Sequence, residues 1–333
     1  MKKLLSCAIL LMFAVSALCA GTADARPLKL RLGHPMAPGN NVTLGYEKFA
    51  ELVKQKSKGQ ITIQIFPNAQ IGNDRVTTEA AQAGTLDLTS SSTPNMASFH
   101  PYYMALDLPY VTNPKNQQKL YDAIDNGELG KFYRELSRKI GLETLMFSEF
   151  GYRNFVSATH DIANVSDFKG FKVRTTDSPV EVDVAKALGM NPAPIAWGET
   201  YTALQQGTVD GEGNTYSLLN DAKHTEVIKY ATDTRHNYSM HLLMMNKKKW
   251  DSLTDEQRKI LREAADEALK YQREISGPLE QKAYDAFVKA GIKMHHYTDA
   301  QFAELYKLTQ PVRDKYSAQI PAELTKMIAD TQK

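Results

Sequence analysis

The chain has 333 residues, 42% of them hydrophobic and 23% charged, with a formal net charge of +2. These values suit a soluble globular protein of about two domains. A charge so near zero gives no sign of a nucleic-acid binder or a polybasic membrane anchor.

The N-terminal residues 1–25 read as a signal peptide. Lys2 and Lys3 form the charged region, Leu4 to Leu18 the apolar one, and Ala23-Asp24-Ala25 a small-x-small cleavage site. Leu18, before Cys19, stands where a lipoprotein signal needs a small residue. Both cysteines, Cys7 and Cys19, fall inside this segment, so the mature chain is expected to carry no disulfide, thiol nucleophile or thiolate metal site. No later apolar run reaches the roughly 20 residues of a membrane span. The expected location is the periplasm, as a free protein.

In chain order, residues 28–33 predict a strand with Leu30 and Leu32 inward, running into the Pro- and Gly-rich loop His34 to Asn41. Val42, Tyr46, Phe49 and Val53 give a helical stripe over residues 42–56, and residues 61–66 alternate as a strand. Asn73-Asp74-Arg75 leads into a helix over 76–83. Residues 86–88 predict a buried strand opening into the hydroxyl-rich loop Thr89 to Asn95. Residues 117–140 are mostly helical, with breaks expected near Gly127 and Gly130, and a strand over 142–148 runs into Glu149 to Asn154.

A second α/β unit follows. It has a strand over 171–174, a helix over 179–188, a strand over 193–196, a helix over 200–206 and a strand stub over 209–211. Ser178, Pro179 and Glu181 make a capping-box start for its first helix. In the tail, Thr254 and Gln257 start a long helix that Gly277-Pro278 is expected to kink or interrupt. A stretch over 279–290, a strand over 293–296 and one or two further helices divided near Pro311 and Pro321 complete the chain.

The repeated strand–helix order predicts an open α/β sheet in each half, with ligands bound at the carboxyl ends of strands. Arg174 ends a strand beside a helix N-terminus, where a guanidinium fork and the helix dipole both favour a planar anion. Arg153 also follows a strand, Asn214 follows a third, and Trp197 offers an apolar wall. Together they form an anion clamp. The first half contributes His34, Asn41, Asp74 and Ser91 as candidate ligand contacts, and Tyr216, just beyond Asn214, is another.

No catalytic signature accompanies the clamp. There is no Gly-x-Ser-x-Gly elbow, P-loop or His-Glu-x-x-His, and His295-His296 would point to opposite faces of a strand rather than share a metal. No cofactor or metal is expected, and no enzymatic activity.

The run Asp167-Phe-Lys-Gly-Phe-Lys-Val-Arg174, with Ala187-Leu-Gly-Met-Asn-Pro, Trp197 to Gly207 and Val209-Asp-Gly-Glu-Gly-Asn214, resembles the solute-binding proteins of tripartite ATP-independent periplasmic (TRAP) transporters. The likeness extends through Gly84-Thr-Leu-Asp-Leu to the tail helix. It implies two α/β domains joined by a hinge around an interdomain cleft, with a long C-terminal helix spanning both. It implies capture of a small organic anion and delivery to membrane permease subunits, Arg174 pairing with the ligand carboxylate, Arg153 and Asn214 assisting, and an aromatic packing at Trp197. On this reading the first domain covers residues 26–148, the second 149–240, and residues 241–333 supply a return strand, the spanning helix and further helices.

Two departures stand out: Glu212-Gly213 replaces the family's common Gln-Glu, and Trp197 replaces Phe. The first-half loops 33–41 and 89–95 contain no Lys or Arg, and Arg75 is the nearest cation. This favours a hydroxy-sulfonate such as isethionate, or a hydroxy or keto acid, over the C4-dicarboxylate best known for the family. A periplasmic enzyme acting on a small organic acid and a solute sensor for a receptor kinase are the rival readings.

Overall fold

The computed structural model describes residues 27–333, and the expected signal segment 1–25 with both cysteines lies outside the described residues. No helix among the described residues is long and apolar enough to cross a membrane.

The strands are β1 (Leu28–Gly33), β2 (Ile61–Phe66), β3 (Leu88–Ser92), β4 (Leu142–Ser157), β5 (Lys172–Thr175), β6 (Asn191–Pro194), β7 (Gly211–Asn214), β8 (Tyr230–Asn246) and β9 (Lys293–His295). The helices are α1 (Asn41–Lys56), α2 (Asp74–Ala83), α3 (Thr93–Met96), α4 (Gln117–Asp125), α5 (Glu128–Lys139), α6 (Pro179–Ala187), α7 (Trp197–Gln205), α8 (Tyr216–Asp221), α9 (Lys247–Asp251), α10 (Asp255–Lys289), α11 (Asp299–Leu308), α12 (Gln310–Ser317) and α13 (Ala322–Asp330).

The strands pair in the order β2-β1-β3-β8-β4-β7-β5-β6, with β9 on β8. Two of them, β4 with 16 residues and β8 with 17, are far longer than the rest and run antiparallel through the whole structure. Their first-domain ends, Leu142–Ser148 against His241–Asn246, join β3, β1 and β2. Their second-domain ends, Phe155–Ser157 against Tyr230–Thr232, join β7, β5 and β6. The two domains therefore share two strands, and the ladder is broken by bulges at Glu149/Gly151 and Arg153/Phe155 where it passes between them. Gly151, at φ 120°, takes a conformation open to glycine alone.

The long tail helix ties both halves. In α10, Leu261, Ala264, Ala265, Ala268 and Leu269 pack with α1 and β1 in one core, while Ala283 and Phe287 pack with Leu204 and Leu219 in another. At 35 residues it spans about 52 Å. Its start is the expected one, with Thr254 and Gln257 capping each other's backbone at 2.9 and 3.2 Å.

Gly277-Pro278 neither interrupts nor ends it, a correction to the sequence expectation. Both residues face solvent, and the apolar contacts before and after them hold the two halves in register. Other boundaries also move. The hydroxyl-rich stretch expected as a loop is strand β3 itself, buried along its whole length. The strands expected at 86–88, 193–196 and 209–211 lie at 88–92, 191–194 and 211–214. Helix α2 begins two residues early at Asp74, capped by Asn73. Gly130 lies inside α5, and the tail has three helices after β9, with Pro311 in the first turn of α12 and Pro321 capping α13.

Gln272 fastens α10 to the crossing. Its side chain accepts from Glu149 N at 2.9 Å and donates to Glu149 O at 2.7 Å, and Asn41 Nδ2 donates to the same carbonyl at 3.0 Å. Gln272→Ala leaves a buried backbone N–H without its partner, so it is expected to lower the unfolding free energy by about 1–3 kcal/mol in urea titration.

Candidate ligand-binding cleft

Strand carboxyl ends and helix starts from both domains converge on one cleft. Arg174 comes from the end of β5, Asn214 from the end of β7, Arg153 from β4, Trp197 from the start of α7 and Asp74 from the start of α2. Met36, Ser92, Asn95, Phe150, Thr176, Leu218 and His241 complete the lining. This inner space adjoins a mouth bordered by Asp74, Arg75, Asn95, Arg174, Asp177 and Trp197. Wider grooves run along α10, where Arg138 and Arg262 pair with Glu143, Arg273 pairs with Asp125, and Arg134 lies over the Phe147 ring.

The two cleft arginines differ in what they already hold. Arg153 is buried, donates from Nε and Nη2 to Gly213 O at 3.1 and 2.8 Å, and pairs through Nη1 with Glu181 at 3.0 Å. Arg174, equally buried, donates only from Nε, to Ile195 O at 2.8 Å, and lies over the Trp197 ring at 5.8 Å. No partner for its terminal nitrogens is found among the described residues. Burial pulls the Arg174 guanidinium down from its ordinary value, with Glu212 opposing that shift. A cation buried with two unpartnered donor groups is a prepared anion receptor.

Glu181 does more than cap α6. Ser178 Oγ accepts weakly from Glu181 N at 3.5 Å, as expected of an N-cap. The Glu181 carboxylate instead reaches back to Thr176 N at 2.8 Å while pairing with Arg153. Ser178 Oγ donates to Asp107 at 2.7 Å.

Behind Trp197 a second layer is built from residues that sequence reasoning did not connect. The His224 ring stacks on Trp197 with centroids 4.9 Å apart, and its Nδ1 meets Glu212 Oε1 at 2.5 Å. Glu212 Oε2 accepts from Asn214 Nδ2 at 3.3 Å. Burial would raise the Glu212 carboxyl, but His224 and then Arg174 outweigh it and leave it below the usual range.

The Glu212-Gly213 departure has a steric cause. A Cβ on Gly213 would sit 2.9 Å from two atoms of the His236 ring, which is stacked on Phe155 at 4.0 Å. Glycine lets that ring close over β7 and leaves the Gly213 carbonyl to Arg153.

The first-half candidates divide. Asp74 lines the cleft, buried, accepting from Ser91 Oγ at 3.2 Å and Ser92 N at 3.3 Å; burial raises its carboxyl above the ordinary range. Ser91 thus acts through Asp74. His34 is fully buried against Tyr46 and is not among the lining residues; burial and then His241 lower it to about 3. Asn41 is a structural clip to Glu149 and Ser276, on the α10 side of the crossing. Tyr216 lies on that side too, bonded to Asp233 at 3.1 Å. Arg75 borders the mouth, where it pairs with exposed Glu79.

Sequence reasoning missed Phe150 and His241. The signal for them was the strand pairing of β8 with β3 and β4, where His241 sits opposite Ser92 and Ser148. His241 contacts Phe150 at 4.9 Å and Ser90 Oγ at 3.1 Å, and burial, then Arg153, lower its imidazole to about 3. Among the described residues no group of three His, Cys, Asp or Glu side chains is arranged to hold a metal. His295 and His296 bond different carboxylates, Asp161 and Asp233.

The family model for bacterial extracellular solute-binding proteins, family 7, matches residues 32–319. The 2,3-diketo-L-gulonate-binding periplasmic protein YiaO of Escherichia coli is 29% identical over 93% of this chain and 94% of its own. The C4-dicarboxylate-binding periplasmic protein DctP of Rhodobacter capsulatus is 31% identical over 93% of this chain and 92% of its own. Among solved structures, the sugar acid binding protein of Advenella mimigardefordensis in complex with galactonate superposes with a TM-score of 0.88 at 27% identity, covering 93% of this chain and 99% of that one.

Gly213→Ala is expected to cost about 1–3 kcal/mol through its contact with the His236 ring. His236→Ala in the same chain should recover part of that loss, giving a non-additive cycle in urea titration.

Proposed function

The chain belongs to bacterial extracellular solute-binding protein family 7, the periplasmic solute-binding components of TRAP transporters, and from that premise we propose that it captures a small organic acid with one anionic end and hydroxyl or carbonyl groups at the other. The class comprises hydroxy and keto acids, sugar acids among them, and hydroxy-sulfonates such as isethionate. The protein is exported by a cleaved signal peptide and hands its ligand to the membrane permease subunits without changing it.

The observation that carries this reading is the polarity of the cleft. Arg174 stands at one end with two unpartnered donor groups, and the Asp74 carboxyl borders the same space from the first domain. An anionic head group meets a guanidinium on the second-domain side. On the first-domain side the rest of the ligand meets a carboxyl group, the serines bonded to it and the Asn95 amide, with Arg75 at the mouth paired to Glu79. A ligand hydroxyl suits that lining, and a second carboxylate would face Asp74, with Arg75, the cation at the mouth, already paired with Glu79. Sugar acids bound by two of the relatives agree with this class, whereas the dicarboxylate relative marks the alternative. Absence of turnover is supported by the disposition of two of the carboxylates: Glu212 is held by His224 and Glu181 by Arg153, so neither is free to act as a base on a bound acid.

A thermal-shift screen with galactonate, lactate, pyruvate, isethionate and succinate tests the class, because a bound ligand raises Tm by mass action. The expected result is a larger rise with a mono-acid or isethionate than with succinate, the ligand being recovered intact by mass spectrometry. Stabilisation by succinate alone overturns the proposal, and repeated turnover of a stabilising acid would show an enzyme.

Arg174→Ala removes up to two charge-assisted hydrogen bonds and should weaken binding by about 3–5 kcal/mol, at least a hundredfold. Arg174→Lys should recover only part of it, since an ammonium lacks the planar fork. Calorimetry showing unchanged affinity in both variants, with circular dichroism confirming the fold, removes Arg174 from its central role.

A further inference from the structure

Arg174 borders a second space, whose other polar lining is Asp107, Thr175, Glu181, His236 and Asn237. Asp107 follows the turn Pro101–Leu106 and is wholly buried. Its carboxylate accepts from Ser178 Oγ at 2.7 Å and from Asn237 Nδ2, and no cation pairs with it among the described residues. Glu181, the other carboxylate of this space, has Arg153 at 3.0 Å. Asp107 is thus a buried carboxylate held by neutral donors only.

Both of those donors are reversible. A hydroxyl donates or accepts, and an amide turned over presents its oxygen where its nitrogen stood. Asn237 Oδ1 has no partner of its own. The site can therefore be satisfied with Asp107 ionised or protonated, which a salt bridge could not.

The charged and titratable groups facing it are Glu181 from α6, Arg153 from β4, Arg174 from β5 and His236 from β8. Burial, then the Glu181 charge, push the Asp107 carboxyl up to about 7, against the pull of Ser178 and Arg153. His236 is held well below its ordinary value by burial and then by Arg153, and it stays neutral.

We propose that Asp107 is a proton-binding residue of the cleft, and that capture of an anion by Arg174 and Arg153 is accompanied by proton uptake there. This rests on the reading of the cleft as an anion site. The ionised form of Asp107 and a bound anion draw on the same buried positive charge. Adding one negative charge in a poorly screened interior favours the neutral form of the other. The O–H bond forms with a proton taken from solvent, and no other bond changes. An anion lifts Asp107 above its ligand-free value of about 7. Affinity is then level below that value and falls as pH rises from it to the ligand-bound value. Each unit of lift is tenfold in Kd.

Two measurements decide it. Without ligand, an acid whose folded-state value is raised stabilises the fold most below its unfolded value near 3.8 and loses that contribution as pH rises through about 7. Asp107→Asn should therefore gain Tm relative to the parent protein between pH 5 and pH 8; a difference that is the same at both values overturns the proposal. With ligand, calorimetry uses galactonate, isethionate and succinate as probe anions, at pH 6 and 9 and in two pH 8 buffers of unlike ionisation enthalpy. The expected result is about a tenfold loss of affinity across that range and uptake of part of a proton at pH 8, both absent in Asp107→Asn. Binding without proton uptake, or uptake that survives in Asp107→Asn, also overturns it. Should none of the three bind, the ligand-class reading fails on its own account, and the ligand-free comparison decides whether Asp107 is a proton site.

Discussion

Everything in this protein is positioned by the two strands that its domains share. β4 and β8 belong to both sheets, so the carboxyl ends of β1, β2 and β3 and those of β5 and β7 are held at a fixed distance from one antiparallel ladder. Arg153, Phe150 and His241 lie on that ladder where its register is broken. The bulges serve the site directly. A continuous ladder would alternate side chains strictly from face to face, whereas a bulge re-aims a side chain and strengthens the local twist. The cleft is consequently a property of strand pairing first and of loops second.

The electrostatics follow from burial. Two guanidiniums within one low-dielectric space repel each other, and each must be held by protein oxygens or nearby negative charge. Arg153 is almost fully engaged, with Gly213 O and Glu181 as fixed partners. Arg174 keeps one fixed bond, an aromatic face and the field of Glu212, itself anchored by His224. The two arginines therefore divide the work. Arg153 supplies positive potential from an ordered position, and Arg174 keeps donors for the incoming anion. Trp197 and His224 back this arrangement from the side, so the aromatic wall and the charge network are one construction.

Much of the fold was legible because it is written in short-range patterns. Leu30 and Leu32 alternate, Val42, Tyr46, Phe49 and Val53 repeat at helical spacing, and Thr254 with Gln257 announces a helix start; all appear where the sequence puts them. Arg174, Trp197 and Asn214 were legible as strand- or helix-end residues. What escaped is long-range. β8 carries Thr232, Thr234, His236, Asn237, Ser239 and His241, which look like a loop until strands on both sides bury them. β3 hid for the same reason: its hydroxyls are bonded to Tyr46, Thr77, Asp74 and His241, partners that no local window contains. His34 misled in the opposite way, since a polar residue after a strand suggests a pocket, yet its ring is packed against Tyr46. Gly277-Pro278 misled because propensity was set against two apolar cores, and the cores prevailed.

That proline has a place in the mechanics all the same. The first core ends on α10 near Leu269 and the other begins near Ala283. Between them lie Gln272 and Ser276, bonded to the Glu149 carbonyl and to Asn41 at the strand crossing. Pro278 follows at once, and its ring removes the backbone donor that the Glu274 carbonyl would otherwise receive. The weakest turn of the helix thus coincides with the passage from one domain to the other, beside the bulges of β4 and the positive φ of Gly151. The Gln272 and Asn41 clips hold the first-domain side of that level in place, and Glu280, two residues beyond Pro278, holds the second-domain side by accepting from Tyr216 N at 2.9 Å and Ser217 N at 2.8 Å.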